Sequence, residues 1–513
     1  MTRAKTGLRL LPWLLLFVLF LAAARFTGCS PTLFWARRSH LSDVFVRMIP
    51  PDWAYFPRIF PLLWATVQMS VAGTVLGAFF ALLAAPFCSA NLKNPSPLRV
   101  GMRVLIQILR SFPTLILALA ATFLFGIGCF AGAVAITLYT FAIMTRLCYE
   151  DIETADIRPY LALCSMGVSP GKAYFRAVLP EIASSYLANA LYLLETNVRH
   201  SAILGYVGAG GIGLLLNEKI SWKEYDRVGA ILLALFAAVC LIEWISERLT
   251  LLVRGEKTAH PAAVRAILAA LALLFVLSLV TVGRPDFSRT SIQTVGSMFS
   301  GLVWPEWGFL VEGGSGGLPW LLLETVCIAF VGTVIGALLS LPLAVLGTSR
   351  LVPELVALFF RLFVMALRSI PFLIYGIIFI RVAGPGAFTG VLTMAVCSIG
   401  LITKRFTEAI DSLDFRPYRA LGAMGVSPLL RVRYAVLPQL IPAFASAVLY
   451  RFDVNTREAS VLGVVGAGGI GAPLIFAMNH YAWRRAGAIT LGLILLVWLV
   501  DLVSARLRGG HRR

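Results

Sequence analysis

Long apolar runs separated by short polar stretches order the whole chain. They fall near 10–25, 61–87, 102–128, 130–147, 181–204 and 229–245, then near 266–282, 319–346, 359–380, 387–403, 439–462 and 486–505. Several reach the ~20 residues a helix needs to cross a bilayer core. The pattern predicts an all-α, polytopic membrane protein with about twelve spans, six in each half.

Composition agrees. The 513 residues are 59% hydrophobic and 13% charged, with a mean hydropathy of +0.85, whereas soluble chains carry about a quarter charged residues. The net charge of +19 does not point to nucleic acid, because the basic residues form no patch with interleaved polar surface. They sit between apolar runs: Arg3, Lys5 and Arg9; Lys93, Arg99 and Arg103; Lys404, Arg405, Arg416, Arg419, Arg431 and Arg433; Arg508, Arg512 and Arg513. The positive-inside rule then places both termini, the 93–103 loop and the joint at 254–265 in the cytoplasm. An even number of spans per half leaves the halves parallel, unlike the inverted repeats of many secondary transporters.

The eight cysteines form no CxxC pair, so neither a disulfide scaffold nor a zinc site is expected. Lys5 and Arg9 before an apolar run also suit a signal peptide, and Phe26-Thr27-Gly28-Cys29 is similar to a lipoprotein cleavage site. The comparable run at 267–282 lies in mid-chain without a cysteine, which favours an uncleaved anchor helix. Pro51-Asp52-Trp53 and Pro305-Glu306-Trp307 look like counterparts in the outer segments 26–60 and 283–318, where tryptophan suits the membrane interface. Gly313–Gly317 reads as a flexible insertion in the second half only.

The halves are a duplication. RPYLALCSMGVSPGKAYFRAVLP from Arg158 and RPYRALGAMGVSPLLRVRYAVLP from Arg416 are followed by ETNVRHSAILGYVGAGGIG and DVNTREASVLGVVGAGGIG. Gly167 matches Gly425 and Gly213 matches Gly471, both at an offset of 258. Arg110-Ser111-Phe112-Pro113 repeats as Arg368-Ser369-Ile370-Pro371 at that offset, and Gly73-Thr74 as Gly332-Thr333 at 259. One period of half the chain means two repeats, residues 1–255 and 256–513, and no short solenoid.

In each repeat a polar loop (150–180 and 405–438) lies between spans. Asp156 and Pro159 start a short helix, Gly167 interrupts it, and Ser169-Pro170 supplies an N-cap and first helical position for a second. Asp414, Pro417, Gly425, Ser427 and Pro428 repeat the pattern. The expected product is a helix–glycine–helix elbow, a docking surface for a soluble partner.

This elbow resembles the "EAA" loop of permease subunits of binding-protein-dependent ABC importers. Ala162, Gly167, Leu179 and Pro180 fit that pattern, as do Ala420, Gly425, Leu437 and Pro438, while Leu161 and Arg419 replace the usual Glu. The resemblance implies MetI-like repeats whose elbows insert into two copies of a cytoplasmic ATPase, with a periplasmic or lipid-anchored substrate-binding protein outside. ATP and Mg would be bound by the partner; no cofactor is expected in this chain.

After each elbow a charged group lies within an apolar run: Glu195, Asn197 and Arg199, then Asp453, Asn455 and Arg457. Arg199 would lie roughly 28 Å beyond Pro180 on a continuous helix. Acid and Arg four apart share a face. Charges at such depth face a protein interior or a water-filled path, so the group is either a pair pinning helix to helix or the lining of an anion path. Arg110 and Arg368 precede Ser-x-Pro, where a kink is expected. They either satisfy bared carbonyls or snorkel to the interface, or form a positive collar for an oxyanion.

GAGGIG, with Gly208, Gly210, Gly211 and Gly213, then Gly466, Gly468, Gly469 and Gly471, matches a dinucleotide fingerprint in spacing but lacks the flanking βαβ unit. Gly167–Ala173 is one residue short of a P-loop and lacks its Ser/Thr. The glycines read instead as tight packing, an anion nest or an outer gate. N-x-R followed by L-G-x-V-G-A-G-G-I-G is most similar to phosphonate-import permeases, and methionine-import permeases share R-S-x-P-F. That implies alternating-access import of a phosphonate or related phosphorus oxyanion, against methionine or another small solute. A secondary transporter is disfavoured by the elbows, and an intramembrane enzyme by the missing Ser/His/Asp or HExxH constellation.

Overall fold

Lipid offers no partner to backbone N–H and C=O groups, so apolar runs close their hydrogen bonds internally as helices. The computed structural model describes residues 2–92, 95–253, 273–283, 292–314 and 316–510, and among these all regular structure is helical. The joint at 254–265, Lys93, Ser315 of the glycine insertion, and Arg512 and Arg513 lie outside the described residues.

In the first repeat the principal helices are α1 (Thr2–Phe26), α2 (Phe56–Cys88), α3 (Ser96–Ser111), α4 (Thr114–Phe125), α5 (Cys129–Thr154), α6 (Arg158–Ser165), α7 (Leu179–Leu204), α8 (Ile212–Ser221) and α9 (Tyr225–Val253). The second contributes α10 (Leu318–Gly347), α11 (Glu354–Ser369), α12 (Phe372–Ala383), α13 (Ala387–Asp411), α14 (Arg416–Ala423), α15 (Leu437–Leu462), α16 (Gly471–Asn479) and α17 (Trp483–Gly510).

Among the described residues eight helices are long and apolar enough to cross a membrane. The runs at 102–128 and 359–380 are not straight spans. Each is a pair, α3–α4 and α11–α12, bent by 92° and 87°. The break falls at Phe112-Pro113 and Ile370-Pro371, where proline removes a helix donor and holds the preceding residue extended. The apolar part of α1 is short, Leu14–Phe26, and the run at 266–282 lies partly outside the described residues.

The chain forms two compact units, Val46–Gly296, and Met1–Phe45 together with Ser297–Arg513. In the first unit α2 packs along α5, because Gly73 and Gly77 bring the backbones together. A methyl group on either would fall 2.6 Å from Ile136 or 2.7 Å from Thr140. Gly332 and Gly336 do the same for α10 on α13, against Met394 and Ser398.

The packing partition therefore differs from the sequence repeats. Helix α1 packs on α10, with the Phe26 and Trp320 rings 4.8 Å apart. The Asp52 and Glu306 counterparts keep one contact: the Asp52 N–H donates to the Asp226 carbonyl at 3.2 Å and the Glu306 N–H to that of Arg484 at 3.0 Å.

Candidate functional site

Three features of each repeat lie in sequence along one helix. Helix α7 starts at the elbow, carries the charged group in its interior and ends at the glycine loop; α15 repeats this. Between elbow and helix stands a π turn, Tyr174–Val178 and Val432–Val436, which the sequence pattern did not foretell.

The elbow is built as expected. Gly167 and Gly425 adopt φ of +84° and +74°, open to glycine without strain. The Asp156 carboxylate accepts from the Arg158 backbone N–H at 3.0 Å and from its guanidinium, and Asp414 does the same for Arg416 at 2.9 Å. Arg158 thereby holds the Asp156 carboxyl down at about 2. Ser169 occupies the N-cap position before Pro170, but its hydroxyl makes no cap bond. Sequence reasoning missed the clasp at the base. The Asp156 N–H donates to Glu181 at 2.8 Å and that of Asp414 to Gln439 at 3.2 Å, each twenty-five residues on. Ala162 and Ala420 lie on the short helices; Ser427 leads into Pro428 as Ser169 does into Pro170.

In the charged span Arg199 Nη1 lies 2.7 Å from Glu195 Oε1, and Arg457 pairs with Asp453. Glu195, Arg199 and Asp453 are buried. Asn197 and Asn455 are wholly buried, and their amides join three helices. Asn197 donates to Thr74 on α2 and Thr140 on α5, both at 2.8 Å. Asn455 donates to Thr333 on α10 and Ser398 on α13, both at 2.7 Å. The Gly73-Thr74 match between repeats thus has a double meaning: glycine admits the neighbouring helix, and threonine receives the asparagine.

The second repeat adds a pair that the first lacks. Arg451, 2% exposed, binds Glu458 at 2.8 Å and reaches Ser398 at 3.4 Å. Leu193 and His200 stand at the matching positions. Comparing the repeats residue by residue through this helix would have revealed it.

The glycine loop is a tight turn filled by its own protein. Gly208, Gly210 and Gly211 have φ near +80°, as do Gly466, Gly468 and Gly469, whereas Gly213 and Gly471 are helical. Gly205 meets Gly213–Leu214 so closely that a Cβ would lie 2.4 Å from the Leu214 nitrogen. The Gly128 N–H donates to the Gly208 carbonyl at 3.0 Å and the Gly386 N–H to Gly466 at 2.9 Å, seating the loop on the turn after the bent pair. Some of the loop's own N–H groups are engaged within the protein, those of Gly208 and Ala209 by the carbonyls of Gly205 and Leu204. Thr66 and Thr325 accept from Ile212 and Ile470 at 2.8 and 3.1 Å, and Gly211 faces the Cys129 sulfur where Gly469 faces the Glu324 carboxylate.

At the bends, Arg110 Nη1 donates to Gln107 on its own helix at 3.1 Å. Arg368 packs over Gly400, whose missing side chain makes room for it, and the carbonyl of Leu367 accepts from the Tyr375 hydroxyl at 3.0 Å.

Residues 73–254 and 332–510 match the family described as the binding-protein-dependent transport system inner membrane component. The phosphate-import permease protein PhnE of Mycolicibacterium smegmatis is 30% identical over 470 residues, 90% of this chain and 87% of that protein. The phosphite transport system permease protein PtxC of Stutzerimonas stutzeri is 39% identical over 197 residues, 38% of this chain and 72% of its own. Among solved structures, an inward-facing MetNI methionine ABC transporter chain matches with 22% identity and a TM-score of 0.36, covering 39% of this chain and 99% of that one.

Proposed function

The chain belongs to the inner membrane components of binding-protein-dependent transport systems, with the family's domain present twice, and on that premise we propose that it forms the whole translocation pore of an ATP-driven importer for a phosphorus oxyanion. The observation that carries this reading is the repeated line of elbow, buried acid–arginine pair and glycine loop along α7 and α15. Two elbows suit two copies of a cytoplasmic ATPase, which supplies ATP hydrolysis. A binding protein on the outer side delivers cargo, and both termini lie in the cytoplasm. The names of the relatives, a phosphate-import and a phosphite permease, support the cargo class.

In this mechanism closure of the ATPase dimer displaces both elbows. The clasps of Asp156 to Glu181 and Asp414 to Gln439 tie each elbow to the foot of its long helix. The displacement therefore passes into α7 and α15 as whole helices and reaches the glycine loops. Packing of those loops on the turns at Gly128 and Gly386 makes them the elements to shift when the outer side opens. Arg110, Arg199, Arg368 and Arg457 provide positive charge for the anion during transfer.

The test is uptake by proteoliposomes holding the chain, its ATPase and a binding protein loaded in turn with phosphate, phosphite, methylphosphonate or methionine. ATP-dependent uptake of a phosphorus oxyanion supports the proposal. Uptake of methionine alone would replace the cargo, and uptake without ATPase would overturn the mechanism.

A further inference from the structure

Each bent pair is fastened at a joint that involves neither the clasp nor the charged span. Helix α3 buries only Ile106, Arg110 and Ser111, all within its last six residues. Leu98, Val100, Val104, Leu105 and Ile108 are exposed and share one apolar side. The half-buried Arg103 stands on the other side. Its Nε donates to the carbonyl of Cys88, the last residue of α2, at 2.7 Å, and its guanidinium pairs with Glu153 at the end of α5. A cation there meets carbonyls that a helix end leaves without partners. Glu153 also accepts from the Ala90 N–H at 2.8 Å, and the Asn91 amide donates to the Glu153 carbonyl at 2.8 Å. Three helices thus meet at one arginine and one carboxylate.

The second repeat builds this joint from different side chains. Arg361 Nε donates to the carbonyl of Gly347, the last residue of α10, at 2.7 Å. Asp411 stands where Glu153 stands but is one methylene shorter, and it accepts from the Thr348 hydroxyl. Arg361 binds the neighbouring Ser349. Arg350, in the place of Asn91, donates to the Leu413 carbonyl at 3.2 Å. The arginine and its helix-end carbonyl are common to both repeats, while their neighbours differ.

Glu153 and Asp411 lie three residues before Asp156 and Asp414, where the elbows begin. Arg110 and Arg368 lie seven residues, about 10 Å, beyond Arg103 and Arg361 on the same helix face. We propose, resting on the reading above that ATPase closure displaces the elbows, that Arg103 and Arg361 are positioning residues. They carry the displacement into the bent pairs and so set where Arg110 and Arg368 stand at the bends. The clasps pass the motion from the elbows to α7 and α15. The joints pass it from the elbows' other ends to α3 and α11, so that long helix and bend move together.

The test uses the full chain in proteoliposomes with the ATPase and binding protein of the same import system, loaded with whichever of phosphate, phosphite or methylphosphonate the wild type takes up. Uptake per ATP hydrolysed is the readout, because loss of folded protein lowers both rates together and leaves their ratio unchanged. R103L/R361L is expected to lower the ratio about tenfold. R103K/R361K, which keeps the charge without the planar fork, is expected to lower it less. R99L, one turn earlier on the same face of α3, should keep the wild-type ratio. Hydrogen exchange at Ser111–Thr114 should change when the ATPase is trapped with ATP and vanadate in the wild type, and not in R103L/R361L. Thermal melting checks folding, and if the leucine pair fails to insert, the lysine pair decides. A wild-type ratio in the folded variants, or a bend that still responds to trapping, would overturn the inference while leaving the importer intact. No ATP-dependent uptake by the wild-type chain would overturn both.

Discussion

The amide of Asn197 donates to the Thr74 hydroxyl at 2.8 Å, and the second repeat joins Asn455 to Thr333 in the same way at 2.7 Å. With a further bond to Thr140 or Ser398, each asparagine is a junction of three helices. Interhelical bonds of this kind within membranes contribute about 1 kcal/mol each, so Asn197→Ala is expected to cost about 1–2 kcal/mol. The measurement is thermal or denaturant unfolding in detergent. A variant that melts like wild type but binds cargo more weakly would assign Asn197 to the lining of a path.

The pair Glu195–Arg199 separates two roles. Breaking a buried pair by removing one partner costs about 3–5 kcal/mol, whereas replacing both with apolar residues of similar size is close to neutral. Arg199→Leu is therefore expected to lower stability strongly, and the double variant Glu195→Leu with Arg199→Met to fold well. Uptake by the double variant then decides the role. Loss of oxyanion uptake in a stable protein assigns Arg199 to cargo, and retained uptake assigns the pair to packing.

At Gly210 a side chain meets two obstacles. The backbone φ is +78°, and a Cβ would lie 2.7 Å from the Cys129 sulfur. The left-handed conformation costs a residue with a Cβ roughly 1–2 kcal/mol before the contact is counted. Gly210→Ala is expected to destabilise the loop and reduce uptake, with Gly468→Ala, whose Cβ would face Ala387 backbone at 2.8 Å, doing the same in the other repeat. Hydrogen exchange at Gly208–Gly213 provides the readout.

Asp156, through its contact with Arg158, has a defined pH window. Its carboxyl is held down at about 2, first by the Arg158 side chain and then by its backbone N–H, against about 3.9 when unfolded. A depressed carboxyl stabilises above its unfolded value, and that contribution is lost as pH falls toward 2. Asp156→Asn should therefore raise hydrogen exchange in α6 by the same factor at pH 8 and pH 5. The two proteins should converge only in strong acid.

Much of this arrangement was legible from residues because local chemistry determines it. Arg-Ser-x-Pro announced the bends, Gly167 and Gly425 the elbow turns, and acid with Arg four residues on the pairs within α7 and α15. What was not legible depends on contacts distant in sequence. Nothing in Thr2–Phe26 says that it packs on Leu318–Gly347, since any apolar helix face suits any other. The threonines that receive the two asparagines, Thr74 and Thr333, lie 123 and 122 residues away from them in the chain. The partners that the GAGGIG backbone finds, Thr66, Cys129, Thr325 and Glu324, lie far from it in the chain.

Gly167 and Gly425 allow coupling to be separated from folding. A Cβ at either position would have nothing within 4 Å, so a substitution there disturbs only the backbone turn. With φ of +84° and +74°, a β-branched residue is strongly disfavoured, and the turn must re-form with the elbow displaced. The clasps to Glu181 and Gln439 and the membrane helices are untouched by the change. Gly167→Val with Gly425→Val is accordingly expected to insert and melt like wild type. Cargo-loaded binding protein should no longer stimulate the partner ATPase, and uptake should fall at least ~10-fold, as a strain of more than about 1.4 kcal/mol in the docked state requires. Full uptake in this double variant, with normal membrane insertion, would show that the elbows do not carry the motion.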